Sequence, residues 1–219
     1  MSGDTVTPDG GREHPCLVDG PASALATVIL AHGAGAGMDS DFLDAFACGL
    51  AAHGLRVVRF DFPYMVESRR TGKNRPPDRM AVLRQAWLDV LAANRTRTLF
   101  IGGKSMGGRI ANLIADDQQV AGLICLGYPF HPPGRPERAR VEHLLALSTP
   151  TLIVQGERDP FGSAAEVRDY PLSSRIRVHW LPDGDHSFRP RAASGLTQEA
   201  NWRQAIDAVA GFVATVQQQ

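Results

Sequence analysis

The chain has 219 residues, 23 basic and 23 acidic side chains and 43% hydrophobic residues, enough apolar material for one sizeable core. This balance excludes the basic surface that nucleic acid or an anionic membrane selects. No run reaches the roughly 18 apolar residues of a membrane span, and Met1–Gly20, with Asp4, Asp9, Arg12 and Glu13, lacks the apolar centre of a signal peptide.

Cys16, Cys48 and Cys125 are scattered, without a C-x-x-C pair, so free or buried thiols are expected rather than disulfides or a zinc site. A soluble, cytoplasmic protein is expected, a monomer or small homo-oligomer with no nucleic-acid or membrane partner. Lys73 and Lys104 are the two lysines; the preference for arginine fits a GC-rich bacterial genome.

In chain order, Met1–Gly20 is expected to be flexible or to supply an edge strand, with a single domain over residues 21–219. Thr27–Leu30 is a β-branched apolar run, a buried strand, and it empties into the glycine-dense loop His32–Gly37. Asp41–His53 carries Phe42, Leu43, Phe46, Ala47 and Leu50 at helical spacing, with Ser40 placed to cap it and Gly54 to close it. Leu55–Phe60 is the next strand, and Asp61 is expected to brace loops at its end. Glu67–Pro77, with Arg69, Arg70, Lys73 and Arg75, is expected to be a solvated basic loop. Arg79–Ala93 is a helix with Met80, Leu83, Trp87, Val90 and Leu91 on one face.

Thr98–Ile101 is a strand, then Gly103-Lys104-Ser105-Met106-Gly107 matches G-x-S-x-G, and Ile110, Ala111, Leu113 and Ile114 follow at helical spacing. In that context the turn holds Ser105 at a strained apex, and the flanking glycines let strand and helix approach closely. A P-loop is excluded, because the glycine it needs five residues before Gly103 is Thr98, inside the strand. Val120–Leu126 is a further strand. A proline-rich loop, Tyr128–Pro136, and a short helix over Pro136–Leu147 follow. Thr151–Gln155 is a strand ending in Gly156–Phe161. A weak helix over Ala164–Asp169, a strand Arg177–Leu181, the loop Gly184–Phe188 and a helix Gln198–Val216 complete the chain; Trp202, Ile206, Val209, Val213 and Val216 are expected to face inward. Such alternation means a mostly parallel sheet of about six to seven strands covered by helices on both faces. Chemistry then collects in the loops after the strand C-termini.

Those loops hold His32-Gly33-Ala34, Ser105, Asp159 and His186. The order Ser…Asp…His carries the inference, more than the pentapeptide does. A serine hydroxyl is barely ionised at neutral pH and needs a base, the task expected of His186. Asp159 would hold the far nitrogen of that ring; Asp183 and Asp185 compete for the task but are too close in sequence to meet it easily. The backbone N–H groups of Ala34 and Met106 are the expected oxyanion donors. His32 is expected to fix the glycine loop rather than move protons, and Glu157 to lie at the surface. The side chains of Lys104 and Met106 are structural or pocket-lining. Tyr64, Phe130, His131 and Phe161 each follow a strand end and are candidate substrate walls.

Val28–Gly35, Gly102–Arg109, Gln155–Phe161 and Gly184–Phe188 together resemble the α/β-hydrolase superfamily, in particular its small lidless dienelactone-hydrolase-like members. Gly102-Gly-Lys-Ser-Met-Gly-Gly-Arg109 is closer to a branch of bacterial hydrolases related to the hydrolase-like domain of a chromatin-complex subunit and its testis-expressed relative. The resemblance spans roughly residues 25–217. It implies the superfamily fold without a large cap and a triad at Ser105, Asp159 and His186. The nucleophile here is serine where dienelactone hydrolases usually carry cysteine. The expectation is a carboxylesterase-like serine hydrolase acting on a small soluble substrate, with no metal or organic cofactor. The alternatives are a non-catalytic scaffold of the same fold, or an acyltransferase or peptidase using the same site.

Overall fold

The computed structural model describes residues 14–218. Residues 1–13, part of the predicted N-terminal segment, lie outside the described residues. The elements in order are β1 (Cys16–Asp19), β2 (Thr27–Ala31), α1 (Asp41–Ala52), β3 (Arg56–Phe60), α2 (Pro63–Thr71), α3 (Met80–Ala93), β4 (Leu99–Lys104), α4 (Met106–Asn112), β5 (Gly122–Leu126), α5 (Glu142–Leu145), β6 (Thr151–Gly156), α6 (Ala164–Val167), β7 (Ile176–Leu181) and α7 (Gln198–Gln217). The seven strands form one sheet in the order β1-β3-β2-β4-β5-β6-β7. β1 pairs antiparallel with β3 at one edge; every other pairing is parallel. The strand order reverses at β2, which lies between β3 and β4. That is the switch point at which parallel sheets open a crevice at the strand C-termini.

Strand side chains alternate between two cores, as a period of two requires. Ile29, Val58, Ile101, Leu123, Cys125 and Ile153 face α3 and α4 and bury Trp87 and Phe60. Val28, Leu30, Val57, Phe100, Ile124 and Val154 face α1 and α7. The central strands are fully buried on both faces, which is why their sequences are continuously apolar rather than alternating.

Several boundaries differ from the sequence reading. The predicted basic loop begins as helix α2, nucleated by Pro63 at its first position and stopped by Gly72 in the left-handed region (φ 67°). Its only buried residue is Tyr64, so hydrophobic periodicity does not reveal it. The predicted helix over Pro136–Leu147 is two fragments, a 3₁₀ turn at Pro136–Arg138 and the single turn α5. α6 keeps one turn, closed by a capping box in which Ser163 and Glu166 satisfy each other's backbone N–H groups. On α7 Asn201, Ala205, Val209, Phe212 and Val213 are buried, and the predicted Trp202, Ile206 and Val216 pack half-buried against the same core. Met80 of α3 is exposed. Ser40 does cap α1, its Oγ accepting from Leu43 N–H at 3.4 Å. The 127–150 connection holds only the 3₁₀ turn and α5, so no large cap covers the sheet edge.

Candidate active site

β4 runs straight into the turn at Ser105. That residue has φ 49° and ψ −112°, a conformation a non-glycine residue adopts only under constraint. The constraint is visible on both sides. Ser105 N–H donates to Leu126 O at 3.0 Å, and Ser105 O accepts from Arg109 N–H of α4 at 3.0 Å. A Cβ on Gly103 would stand 2.1 Å from Ala31 O, and one on Gly107 2.5 Å from the same oxygen. Both positions therefore demand glycine, so that β4 and α4 can press against β2. Ser105 is half-buried at the apex, and no hydrogen bond engages its Oγ among the described residues.

The glycine loop after β2 lies beside this turn: a Cβ on Gly33 would be 3.7 Å from Ser105 Cβ. The loop is braced from beneath. His32 is fully buried; its Nδ1 meets Gly33 O at 2.6 Å, and its Nε2 accepts from Phe62 N–H at 3.0 Å, which fixes the Nδ1–H tautomer. Burial holds its pKa below the ordinary histidine value, so the ring is a neutral brace. Asp61 is also buried and accepts from Met38 N–H at 2.8 Å and Arg69 Nε at 2.5 Å. Arg69, on α2, continues outward to Asp39. Tyr64 Oη donates toward Gly33 O (3.3 Å) and Ala34 O (3.1 Å). With the Gly33 and Ala34 carbonyls held this way, neither Ala34 N–H nor Met106 N–H, the first residue of α4, finds a protein acceptor among the described residues.

On the other side, His186 Nδ1 lies 2.8 Å from Asp159 Oδ2. Asp159 is fully buried and receives two further donors, Gln155 Nε2 on Oδ2 (2.9 Å) and Phe161 N–H on Oδ1 (2.8 Å). An acceptor-only carboxylate there leaves the proton on Nδ1 and a lone pair on Nε2. The Phe161 ring rests against the imidazole, centroids 4.3 Å apart.

The competing carboxylates are occupied elsewhere. Asp185 accepts from Ser187 N–H (2.8 Å) and Arg189 N–H (3.0 Å), capping its own turn. Asp183 pairs with Arg158 and Arg191, and Glu157 accepts from Asp183 N–H at 2.9 Å. Three of the four predicted wall residues are corrected. Phe130 and His131 are buried, Phe130 packed on Tyr128 and His131 bonded to Pro132 O at 2.8 Å; Tyr64 is buried as the brace just described. All three side chains fold back into the core instead of standing over the sheet edge. Phe161 alone of the four stays half-exposed beside His186.

Sequence reasoning missed Gln155. It is fully buried at the end of β6, its Oε1 accepting from Tyr128 N–H (2.7 Å) while Nε2 meets Asp159 Oδ2, Gly162 O (3.1 Å) and Tyr128 O (3.2 Å). The available signal was a glutamine inside an otherwise apolar buried run. It missed Arg69 as well, because a basic cluster in sequence gives no hint which member turns inward. No group of three or more His, Cys, Asp or Glu that could hold a metal occurs among the described residues.

Residues 24–214 match the family model described as alpha/beta hydrolase domain, and the chain belongs to that family. Among solved structures it is similar to a lidless α/β serine hydrolase from Xanthomonas campestris (TM-score 0.66, 20% identity, 97% of this chain and 92% of that one). It is similar also to Est1E from Butyrivibrio proteoclasticus (TM-score 0.68, 15% identity, 97% and 100%) and to a dienelactone hydrolase from Anabaena variabilis (TM-score 0.68, 23% identity, 93% and 94%). At these identities the likeness establishes the fold.

Proposed function

We propose that the protein is a carboxylesterase-like serine hydrolase that cleaves a small ester, or a related acyl bond, through an acyl-Ser105 intermediate. The observation that carries this is half-buried His186 held by fully buried Asp159 at the same sheet edge as a strained Ser105, the three residues following separate strands. His186 Nε2 takes the Ser105 proton as Oγ attacks the carbonyl carbon, then returns it to the leaving oxygen. Asp159 holds the Nδ1–H tautomer and stabilises the imidazolium. Ala34 N–H and Met106 N–H receive the oxyanion. Water activated by the same histidine then releases the acid. The reading requires Ser105 Oγ to come within hydrogen-bond reach of His186 Nε2 when substrate binds, a tightening common in such sites.

Phe161 is the one predicted wall residue this reading keeps. With no large cap over the edge, the site suits small, soluble substrates. Three free thiols fit a reducing compartment such as the cytoplasm. The narrower kinship, to the branch that includes a chromatin-complex subunit, rests on the wording of Gly102–Arg109.

The test is a p-nitrophenyl ester series from acetate to decanoate, with Ser105→Ala as control. Turnover favouring short acyl chains and lost in Ser105→Ala is the expected result. Absence of turnover by the folded wild-type protein contradicts it and brings the scaffold reading forward. Product formed only when an alcohol or amine acceptor is added would indicate an acyltransferase.

A further inference from the structure

Lys104 occupies the position before Ser105, one of only two lysines in a chain otherwise served by arginine. Its side chain turns back under the histidine loop, where Nζ donates to the main-chain carbonyl of His186 at 2.5 Å. The ammonium lies 5.3 Å from the ring centre of Phe42 and 5.7 Å from that of Phe188, within cation–π range of both. Gly127, at the end of β5, leaves it room: a Cβ there would stand 2.7 Å from Lys104 Nζ and 3.3 Å from His186 Cε1. Ammonium and imidazole thus border the same small space. No carboxylate lies within ion-pair distance of Nζ among the described residues. The charged groups that act on it are Asp159, after β6, and Asp185, in the histidine loop; Phe42 of α1, Phe188 and Gly127 bring none. Burial pulls the lysine pKa down to about 8 against those two carboxylates. A partly buried cation with no carboxylate within ion-pair distance gains little from its place, so packing alone gives no reason for it here.

We propose that Lys104 is a positioning residue for the Ser105 reaction: its ammonium ties the His186 main chain to the nucleophile strand and so sets where the imidazole stands relative to Ser105. The inference rests on the serine hydrolase reading. Asp159 holds the ring by its Nδ1 edge, and Lys104 holds the main chain that carries the ring.

The experiment follows the rate of fluorophosphonate labelling from pH 5 to 10 in wild type, Lys104→Met and Lys104→Arg, with thermal melting of each. For Lys104→Met the expected result is labelling slowed about tenfold at the plateau. Its Tm is expected to be equal to or above that of wild type, because a partly buried cation has been removed. An inflection near the lysine pKa of about 8 should be present in wild type and absent from this variant. Lys104→Arg keeps the charge but not the ammonium's fit against the His186 carbonyl, so its plateau should fall and no inflection near pH 8 should remain.

A merely structural lysine would lower Tm and reactivity together and leave the wild-type profile without an inflection near pH 8, which overturns the proposal. So would a Lys104→Met protein labelled at the wild-type rate with the wild-type profile, while the serine hydrolase reading stood. Failure of folded wild type to label at all would remove that reading first and the proposal with it. Should Lys104→Met not fold, Lys104→Arg decides: an unchanged plateau refutes the clamp.

Discussion

On the histidine side of Ser105, the groups that fix geometry are sealed from water. Asp159 and Gln155 are fully buried, and their hydrogen bonds close on backbone groups from two loops, those after β5 and β6. On the glycine-loop side the chain of bonds runs outward instead, from buried His32 and Asp61 to Arg69, whose side chain is 40% exposed, and then to Asp39 at the surface. The sealed side suits a base whose tautomer must not change, since strong, unscreened bonds hold the ring in one orientation. The outward side rests partly on charge pairs that water and salt weaken. Damage to the two sides should therefore differ in size and in salt dependence.

The largest effect is expected at the apex. Ser105→Ala should lower kcat by about 10⁴–10⁶-fold with no loss of Tm, measured by ester hydrolysis and calorimetry. Asp159→Asn should come next, at about 10⁴-fold, because an amide in that place no longer selects the Nδ1–H tautomer. An Asp185→Asn protein gives the sharper comparison: its carboxylate caps a turn, so kcat should change less than tenfold. Equal losses in the two variants would show that the acid had been assigned wrongly.

The fold was legible because buried parallel strands carry continuous apolar runs, and those runs alternate with helical periodicity. As candidates, Ser105, Asp159 and His186 were legible because each sits in the turn or loop that follows a strand, β4, β6 and β7 respectively. What escaped was tertiary. α2 has one buried residue and so no stripe to detect. Whether Phe130 points over the sheet edge or into the core is decided by its packing on Tyr128, Tyr170 and Gly162, the last two of which sequence order does not place beside it. Gln155 was overlooked since a polar residue at a strand end resembles a surface residue until its burial is known.

Smaller effects should separate the two sides further. Gln155→Leu leaves Tyr128 N–H and one donor to Asp159 unmet, so it should cost stability at about 1–3 kcal/mol for each buried group left unpaired, independent of salt. Arg69→Met removes a partner from buried Asp61. With Arg69 40% exposed, the expected cost is about 1–2 kcal/mol, between the exposed-pair and buried-pair cases. In the wild type the contribution of this network should shrink between 0.05 and 0.5 M salt, as read from denaturant midpoints. A Gln155→Leu cost that varied with salt as strongly as that of Arg69→Met would erase the distinction.

The smallest effect is in pH. Burial depresses the folded-state pKa of His32 below its ordinary value of 6.5, so as pH falls the unfolded chain takes up a proton first. The stability due to neutral His32 is full above pH 6.5 and is lost as pH falls from there toward the folded-state pKa. Tm should slope downward in that window for the wild type and more gently for His32→Gln.

The central claim is that Ser105 is an activated nucleophile served by His186. Its most direct test is fluorophosphonate labelling of folded wild type, Ser105→Ala and His186→Ala at pH 7.5, with the modified residue located by mass spectrometry. Stoichiometric modification of wild type at Ser105, none in Ser105→Ala and a rate reduced at least 10³-fold in His186→Ala is the result predicted. A folded wild-type protein that stays unlabelled, or labelling that proceeds as fast without His186, would contradict it.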